Sequence, residues 1–171
     1  MIRSIILATA LIAMSASAQQ ASPRNPQVDF PAYRSLTAEV GDHRVHRLLA
    51  WDDWKRASRK RHALILDARS ADAFARGHIA GAVNLPFTDF TAESLATAIG
   101  ADRNRPILIY CNNNFSNDLA PVRLKAVALA LNVQTFVNLY GYGYRNVWEL
   151  DDVVDFTDAK VGWVSSRTAE R

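Results

Sequence analysis

The sequence predicts an α/β fold: a doubly wound parallel sheet flanked by helices on both faces. Two short, continuously apolar runs carry this expectation. One is Ala63-Leu64-Ile65-Leu66, closing on Asp67, and the other is Ile107-Leu108-Ile109-Tyr110, closing on Cys111. A run that is apolar at every position suits a parallel strand buried on both faces. The third observation is the alternation of such runs with stretches of helical spacing, the pattern of strands joined by crossover helices.

The elements follow in chain order. Residues 1–18 read as a secretory signal peptide, with Arg3 as the charged start, Ile5 to Met14 as the apolar core and Ala16-Ser17-Ala18 as a small-residue cleavage site. A cut after Ala18 predicts a periplasmic or secreted protein. The apolar run is about half of the roughly 20 residues a spanning helix needs, so no membrane anchor is expected. No cysteine follows the cut, which excludes lipid anchoring at that point.

Residues 19–47 form a lead-in segment. Its first part is rich in Pro, Ser, Asn and Gln, and residues 33–45 fit an edge strand or a turn of helix equally well. The main domain is expected over residues 48–156. Leu48-Leu49 suggests a short strand running into a helix, with Asp52 or Asp53 near its N-cap. After the strand at residues 62–67 comes a short helix capped by Ser70, with Asp72 in its first turn. A glycine-punctuated connection then leads into a strand at Val83-Asn84, and residues 92–99 read as a helix stopped by Gly100.

Beyond the strand at residues 107–110, Leu119, Val122, Ala126, Leu129 and Ala130 have helical spacing, with Asn132 as a C′ residue. Residues 135–139 predict a third strand. Gly141 and Gly143 then break the chain before a short helix at residues 144–150. Residues 157–171 form a tail that reads only as a surface segment able to dock on the core.

Length and charge narrow the function. Without the leader about 150 residues remain, a common size for one domain with a single core. The formal charge of +3 falls to +2 when Arg3 leaves, too weak a balance to imply nucleic acid. The basic cluster Arg56, Arg59, Lys60, Arg61, His62 follows Asp52 and Asp53 and has no interleaved aromatics, so it reads as a solvated helix end. His43 and His46 lack a nearby third ligand. No metal and no cofactor are expected.

The candidate site centres on Cys111, the only cysteine. It cannot pair within the chain, which leaves a buried inert thiol, an intermolecular link or a reactive group. Its setting favours the last. Cys111 ends a buried strand and opens the polar run Asn112-Asn113-Asn114-Phe115-Ser116-Asn117-Asp118. Such a loop lets backbone N–H groups converge on sulfur, and the sulfur is expected to face solvent. In open α/β sheets ligands bind beyond the carboxyl ends of strands. Asp67, Cys111 and the Leu139-Tyr140-Gly141 turn are all expected on that edge.

With these residues in place, the chain resembles a rhodanese-like domain, a sulfurtransferase family. The motifs are Leu66-Asp67-Ala68-Arg69, the long stretch Asp72-Ala73-Phe74-Ala75-Arg76-Gly77-His78-Ile79-Ala80-Gly81-Ala82-Val83-Asn84-Leu85-Pro86, and Ile109-Tyr110-Cys111. The resemblance implies that Cys111 takes sulfane sulfur from a small donor molecule, carries it as a persulfide, and passes it to a thiol or cyanide-like acceptor. A protein thiol is an alternative partner. Residues 112–117 would be the cradle. Asp67 and Arg69 are read as a buried pair, with Asp72 a plausible partner for Arg69, and His78 as a residue fixing local backbone. The stretch from Leu139 to Trp148 aligns with the family's glycine turn and following Trp helix, with Trp148 in the core and three tyrosines walling the site or packing.

The departures matter too. The family's loop is about six residues long and carries a cation that grips the donor's anionic end. Residues 112–118 hold no Arg or Lys, the first basic residue is Arg123 inside the expected helix, and the loop reads as lengthened. Thiosulfate is therefore a doubtful donor. The asparagines are expected to offer amide donors to a neutral or weakly charged substrate, with Phe115 as an apolar lip. A cysteine phosphatase needs Arg at position 117, which is Asn. The alternative is a non-catalytic rhodanese-like binding or redox-sensing module using the enlarged loop.

Overall fold

The computed structural model describes residues 25–166, so the expected leader lies outside the described residues. Seven strands occur among them: β1 (Leu48–Leu49), β2 (Leu64–Asp67), β3 (His78–Ile79), β4 (Ala82–Asn84), β5 (Ile107–Tyr110), β6 (Val147–Leu150) and β7 (Trp163–Val164). Five of them form a wholly parallel sheet in the order β1-β6-β5-β2-β4. β3 and β7 make a separate antiparallel pair. The helices are α1 (Phe30–Arg44), α2 (Trp51–Ser58), α3 (Ala71–Arg76), α4 (Ala92–Ile99) and α5 (Leu131–Gly141). The expected α/β architecture is present.

Period-two side-chain alternation splits the core in two. Leu64, Leu66, Ile107, Ile109 and Val147 face a cluster with Val40 of α1, Leu95 and Ile99 of α4, and Phe136 and Leu139 of α5. Ile65, Leu108, Tyr110 and Leu150 face the other way, onto Trp51 and Trp54 of α2 with Phe115, Val154 and Val161. Every residue of β2 and β5 is buried, which is why both read as unbroken apolar runs.

Residues 33–45, open between strand and helix, are helical as part of α1. Asp29 Oδ1 accepts from Ala32 N–H at 2.9 Å, and His43 and Arg44 suit the negative end. At α2 the N-cap is Ala50. Asp52 and Asp53 lie in the first turn, and the capping contact comes from across the fold, Trp51 N–H donating to Asp152 Oδ2 at 2.7 Å. Ser70 and Gly100 end their helices where expected.

Three expectations after Cys111 are corrected. No helix spans residues 119–131; only Val127–Leu129 makes a short 3-10 turn. Side chains take the backbone groups a helix would need: Asp118 Oδ1 accepts from Leu124 N–H, Asn112 Nδ2 donates to Arg123 C=O, and Asn113 bonds Lys125 in both directions. Pro121 supplies no N–H. The helix begins instead at Leu131 and includes residues 135–139, where a strand was expected. Burial of Asn132, Thr135, Phe136, Leu139 and Tyr140 follows a helical period that overrides the β-branched content. Asn132 therefore opens a helix rather than closing one. Residues 147–150 are strand β6, not helix, because the site between β1 and β5 needs a partner for both. Trp148 is half-buried, with the Arg47 guanidinium 4.5 Å above its ring.

The last described residues dock firmly. Val161 is buried, and Trp163 packs on Phe115 and Phe156 with ring centroids 5.0 and 5.1 Å apart. Gly77 is where this docking depends on sequence, since a Cβ there would sit 2.2 Å from Trp163 Nε1. Gly77→Ala should cost about 1–3 kcal/mol through overpacking. Chemical denaturation checks this, and the loss should shrink in a Trp163→Leu background. Equal losses in both backgrounds would place the strain elsewhere.

Candidate functional site

Cys111 continues the alternation of Ile107 and Ile109, so its side chain leaves β5 on the face covered by α5. Asn113 N–H donates to Sγ at 3.3 Å. The Asn132 and Leu131 N–H groups, in the first turn of α5, also favour the anionic sulfur and pull its pKa down. The N-cap of α5, Ala130, provides no side-chain cap, so the sulfur stands where a capping oxygen would. The Asn113 N–H and the positive end of α5 thus form an anion cradle.

Burial opposes them. The Cys111 residue is 1 % exposed, which corrects the expected solvent-facing sulfur. Desolvation is the largest influence and pushes the thiol pKa up; the Asn113 and Asn132 N–H groups pull it down, the Glu149 carboxylate raises it further, and the Leu131 N–H lowers it. Glu149 is held by Arg44 of α1, whose Nε and Nη2 each lie 2.6 Å from a carboxylate oxygen. Neither Arg44 nor Glu149 carried a sequence signal tying it to the site.

The expected cradle residues fall into two groups. Asn114 is buried and structural: its Oδ1 accepts from Cys111 N–H at 2.9 Å and Asn132 Nδ2 at 2.9 Å, while its Nδ2 donates to the carbonyls of Leu150 and Asp152. Asn117 bonds Asp155 and Phe156, and Ser116 N–H donates to Val154 C=O, so this end of the loop is pinned to the chain after β6. Phe115 is wholly buried between Tyr110 and Trp163, a core residue rather than a lip. Asn112 and Asn113 reach the other way and hold residues 123 and 125 against the loop. The asparagine amides thus donate to protein oxygens rather than standing free for a substrate.

Beside the cradle lies a buried polar group. Asp67 and Arg69 are paired, with Nη2 to Oδ2 at 2.6 Å, and Arg69 also donates to Gly77 C=O. Tyr110 O–H donates to Asp67 Oδ2 at 2.5 Å, and burial holds the phenol pKa well above its ordinary value. Asp72 is paired with Arg76 at 2.6 Å, not with Arg69. His78 Nδ1 lies 2.8 Å from Phe74 C=O, its ring stacked on Phe74. Of the three tyrosines, Tyr140 and Tyr144 are buried and Tyr142 is exposed on the far end of α5. The Leu139-Tyr140-Gly141 stretch is helical, and the third strand end at the edge is Leu150 of β6. No cluster of His, Cys, Asp or Glu suited to a metal occurs among the described residues.

A cavity of about 280 Å³ lies against the loop that follows Cys111, lined in part by Pro86, Phe87, Asn112, Lys125 and Leu131.

Two measurements check this geometry. Asn114→Ala removes four hydrogen bonds, three of them buried, and should cost about 3–5 kcal/mol in chemical denaturation, at the large end for one substitution; a loss under about 1 kcal/mol would contradict the network. The Cys111 alkylation rate with a neutral reagent should rise with pH to a midpoint above the ordinary thiol value of about 8.5. A midpoint at or below that value would mean the N–H groups outweigh burial.

Comparison with known proteins agrees with this architecture. A family model described as Rhodanese-like domain matches residues 50–152. The BH2092 protein from Bacillus halodurans superposes with a TM-score of 0.50 at 16 % identity, covering 83 % of this chain and 88 % of that one. A rhodanese with anions from E. coli gives 0.40 at 22 % identity, covering 60 % and 98 %. The 30 kDa polysulfide-sulfur transferase homodimer from Wolinella succinogenes gives 0.45 at 14 %, covering 81 % and 92 %. At 16 % identity the likeness to the BH2092 protein is one of fold. No curated protein matches the chain.

Proposed function

The chain belongs to the rhodanese-like domain family, and from that premise we propose that it is an exported sulfurtransferase or persulfide carrier whose nucleophile is Cys111. The observation that supports this reading is a sulfur at the carboxyl edge of a parallel sheet that accepts from the Asn113 N–H and lies under the pKa-lowering influence of the first turn of α5. A thiolate attacks the outer sulfur of a donor R–S–SH. The donor S–S bond breaks, a new S–S bond forms at Cys111, and the electron pair leaves on R–S⁻. The proton stays on the transferred sulfur. An acceptor thiolate then takes that sulfur and returns Cys111 to the thiolate. The cradle stabilises the anion at the start and end of the cycle by on the order of 1 kcal/mol per well-placed group. Export rests on the leader-like residues 1–18.

One observation favours a second reading, a binding or redox-sensing module. A thiol that is buried and shifted toward the protonated form is a weak nucleophile at neutral pH.

Intact-mass analysis after incubation with polysulfide or an organic persulfide separates them. A catalytic carrier gains one sulfur atom at neutral pH, loses it to added thiol, and gains none as Cys111→Ser. No gain with any donor class would leave the binding module as the function.

A further inference from the structure

Cys111 is buried, so a sulfur added to it has to be seated inside the protein. On that side of the sheet α5 presents a buried face of Asn132, Thr135, Phe136, Leu139 and Tyr140. Two polar atoms of this face, Asn132 Oδ1 and Thr135 Oγ1, have no hydrogen-bond partner among the described residues. Asn132 is 6 % exposed and Thr135 2 %. An unpaired polar group at such depth costs stability and is rare in folded proteins. The direction of the amide is fixed by its neighbours. The Leu150 and Asp152 carbonyls can only accept, so they hold Asn114 Nδ2 and turn Asn114 Oδ1 toward Cys111 N–H and Asn132 Nδ2. With its Nδ2 engaged, Asn132 is left with Oδ1 as a free acceptor, in a residue whose own N–H acts on the Cys111 sulfur. Thr135 follows one turn along the same face. A helical hydroxyl commonly turns back on the carbonyl four residues earlier, as Ser35 does on Pro31 at 3.2 Å and Thr97 on Glu93 at 3.0 Å. Thr135 Oγ1 makes no such bond.

A persulfide supplies what these atoms lack. Its outer sulfur stands one S–S bond, about 2 Å, beyond Sγ, and it carries the proton kept in the transfer. An S–SH group donates to a carbonyl oxygen, whereas a persulfide anion is repelled by one. We propose that Asn132 Oδ1 and Thr135 Oγ1 form the seat of the transferred sulfur and bind it as the neutral S–SH group. The S–H donates to Asn132 Oδ1, and the threonine hydroxyl donates to the outer sulfur. The seat thus takes a protonated sulfane sulfur and disfavours an ionised one. It rests on the sulfur-carrier reading of Cys111.

Thr135→Val is the discriminating variant, because it deletes the hydroxyl at nearly constant shape and breaks no hydrogen bond of the unloaded protein. The full chain is loaded without relying on any donor preference, by hydrosulfide displacement of an activated mixed disulfide at Cys111. HS⁻ attacks Sγ, the activating thiolate leaves, and Cys111 keeps S–SH. Intact mass at equilibrium with a small organic thiol and its persulfide then gives the exchange constant for holding sulfur. That constant should fall about three- to tenfold in Thr135→Val, the worth of one hydrogen bond, and Thr135→Ser should retain the wild-type value. Unloaded Thr135→Val should match or exceed the wild type in chemical denaturation, since it loses only an unpaired group. An unchanged exchange constant would overturn the seat. If the unloaded variant is also less stable than the wild type, the hydroxyl serves an ordered water only. A wild type that keeps no sulfur by this route or from polysulfide would sink the carrier function and the seat together, whereas equal loading of wild type and variant sinks the seat alone.

Discussion

The side-chain amide of Asn114 is the joint on which the site depends. An amide offers two donors and two acceptor lone pairs, and this one uses all four, on Cys111 N–H, Asn132 Nδ2, Leu150 C=O and Asp152 C=O. It therefore ties the end of β5 to the start of α5 and to the chain leaving β6. Asp152 carries the tie onward, because its carboxylate caps α2 at Trp51. One buried, satisfied side chain links helices on opposite faces of the sheet through the residue beside the thiol. In a low-dielectric interior such a network rigidifies its members, and a half-satisfied one would be costly.

That rigidity fixes how the sulfur is held. Placing Cys111 against the first turn of α5 brings N–H groups to it, but also removes it from water and sets it near Glu149. Arg44 offsets the last effect by gripping both carboxylate oxygens. The grip comes from α1, which precedes the segment matched by the family at residues 50–152. The electrostatics of the thiol are thus completed by a helix outside the family's common part.

The legible parts of the sequence were those where local pattern and tertiary role agree. β2 and β5 are buried on both sides and read as strands; Ser70 and Gly100 act through their own backbones and read as helix ends. Cys111 at a strand end was visible for the same reason. The failures cluster between residues 115 and 150, where long-range bonds decide. The apolar spacing from Leu119 to Leu131 mimics a helix, yet Leu119, Leu124, Val127 and Leu129 are exposed. Nothing local announces that Asn112 and Asn113 will capture the backbone of residues 123 and 125. Once that segment was misjudged, α5 and β6 each received the wrong element. Phe115 was misjudged because a hydrophobe in a polar run looks exposed until the docked Trp163 covers it.

The lengthened loop is inexpensive to keep. Closure entropy grows only with the logarithm of length, so tripling a six-residue loop costs about 1 kcal/mol. The three hydrogen bonds that the Asn112 and Asn113 side chains make, two donated and one accepted, at about 0.5–1.5 kcal/mol each net, offset that cost. They also divide the loop by task. Its near half, through Asn114, Phe115 and Asn117, is bound into the core and sets the thiol geometry. Its far half touches the near half mainly through side-chain amides and carries the exposed apolar residues with Lys125. A substitution in the far half can alter what reaches the sulfur while leaving intact the bonds that hold it. Reaction geometry and access are therefore separable along a single loop, which a six-residue loop, with every residue next to the sulfur, does not allow.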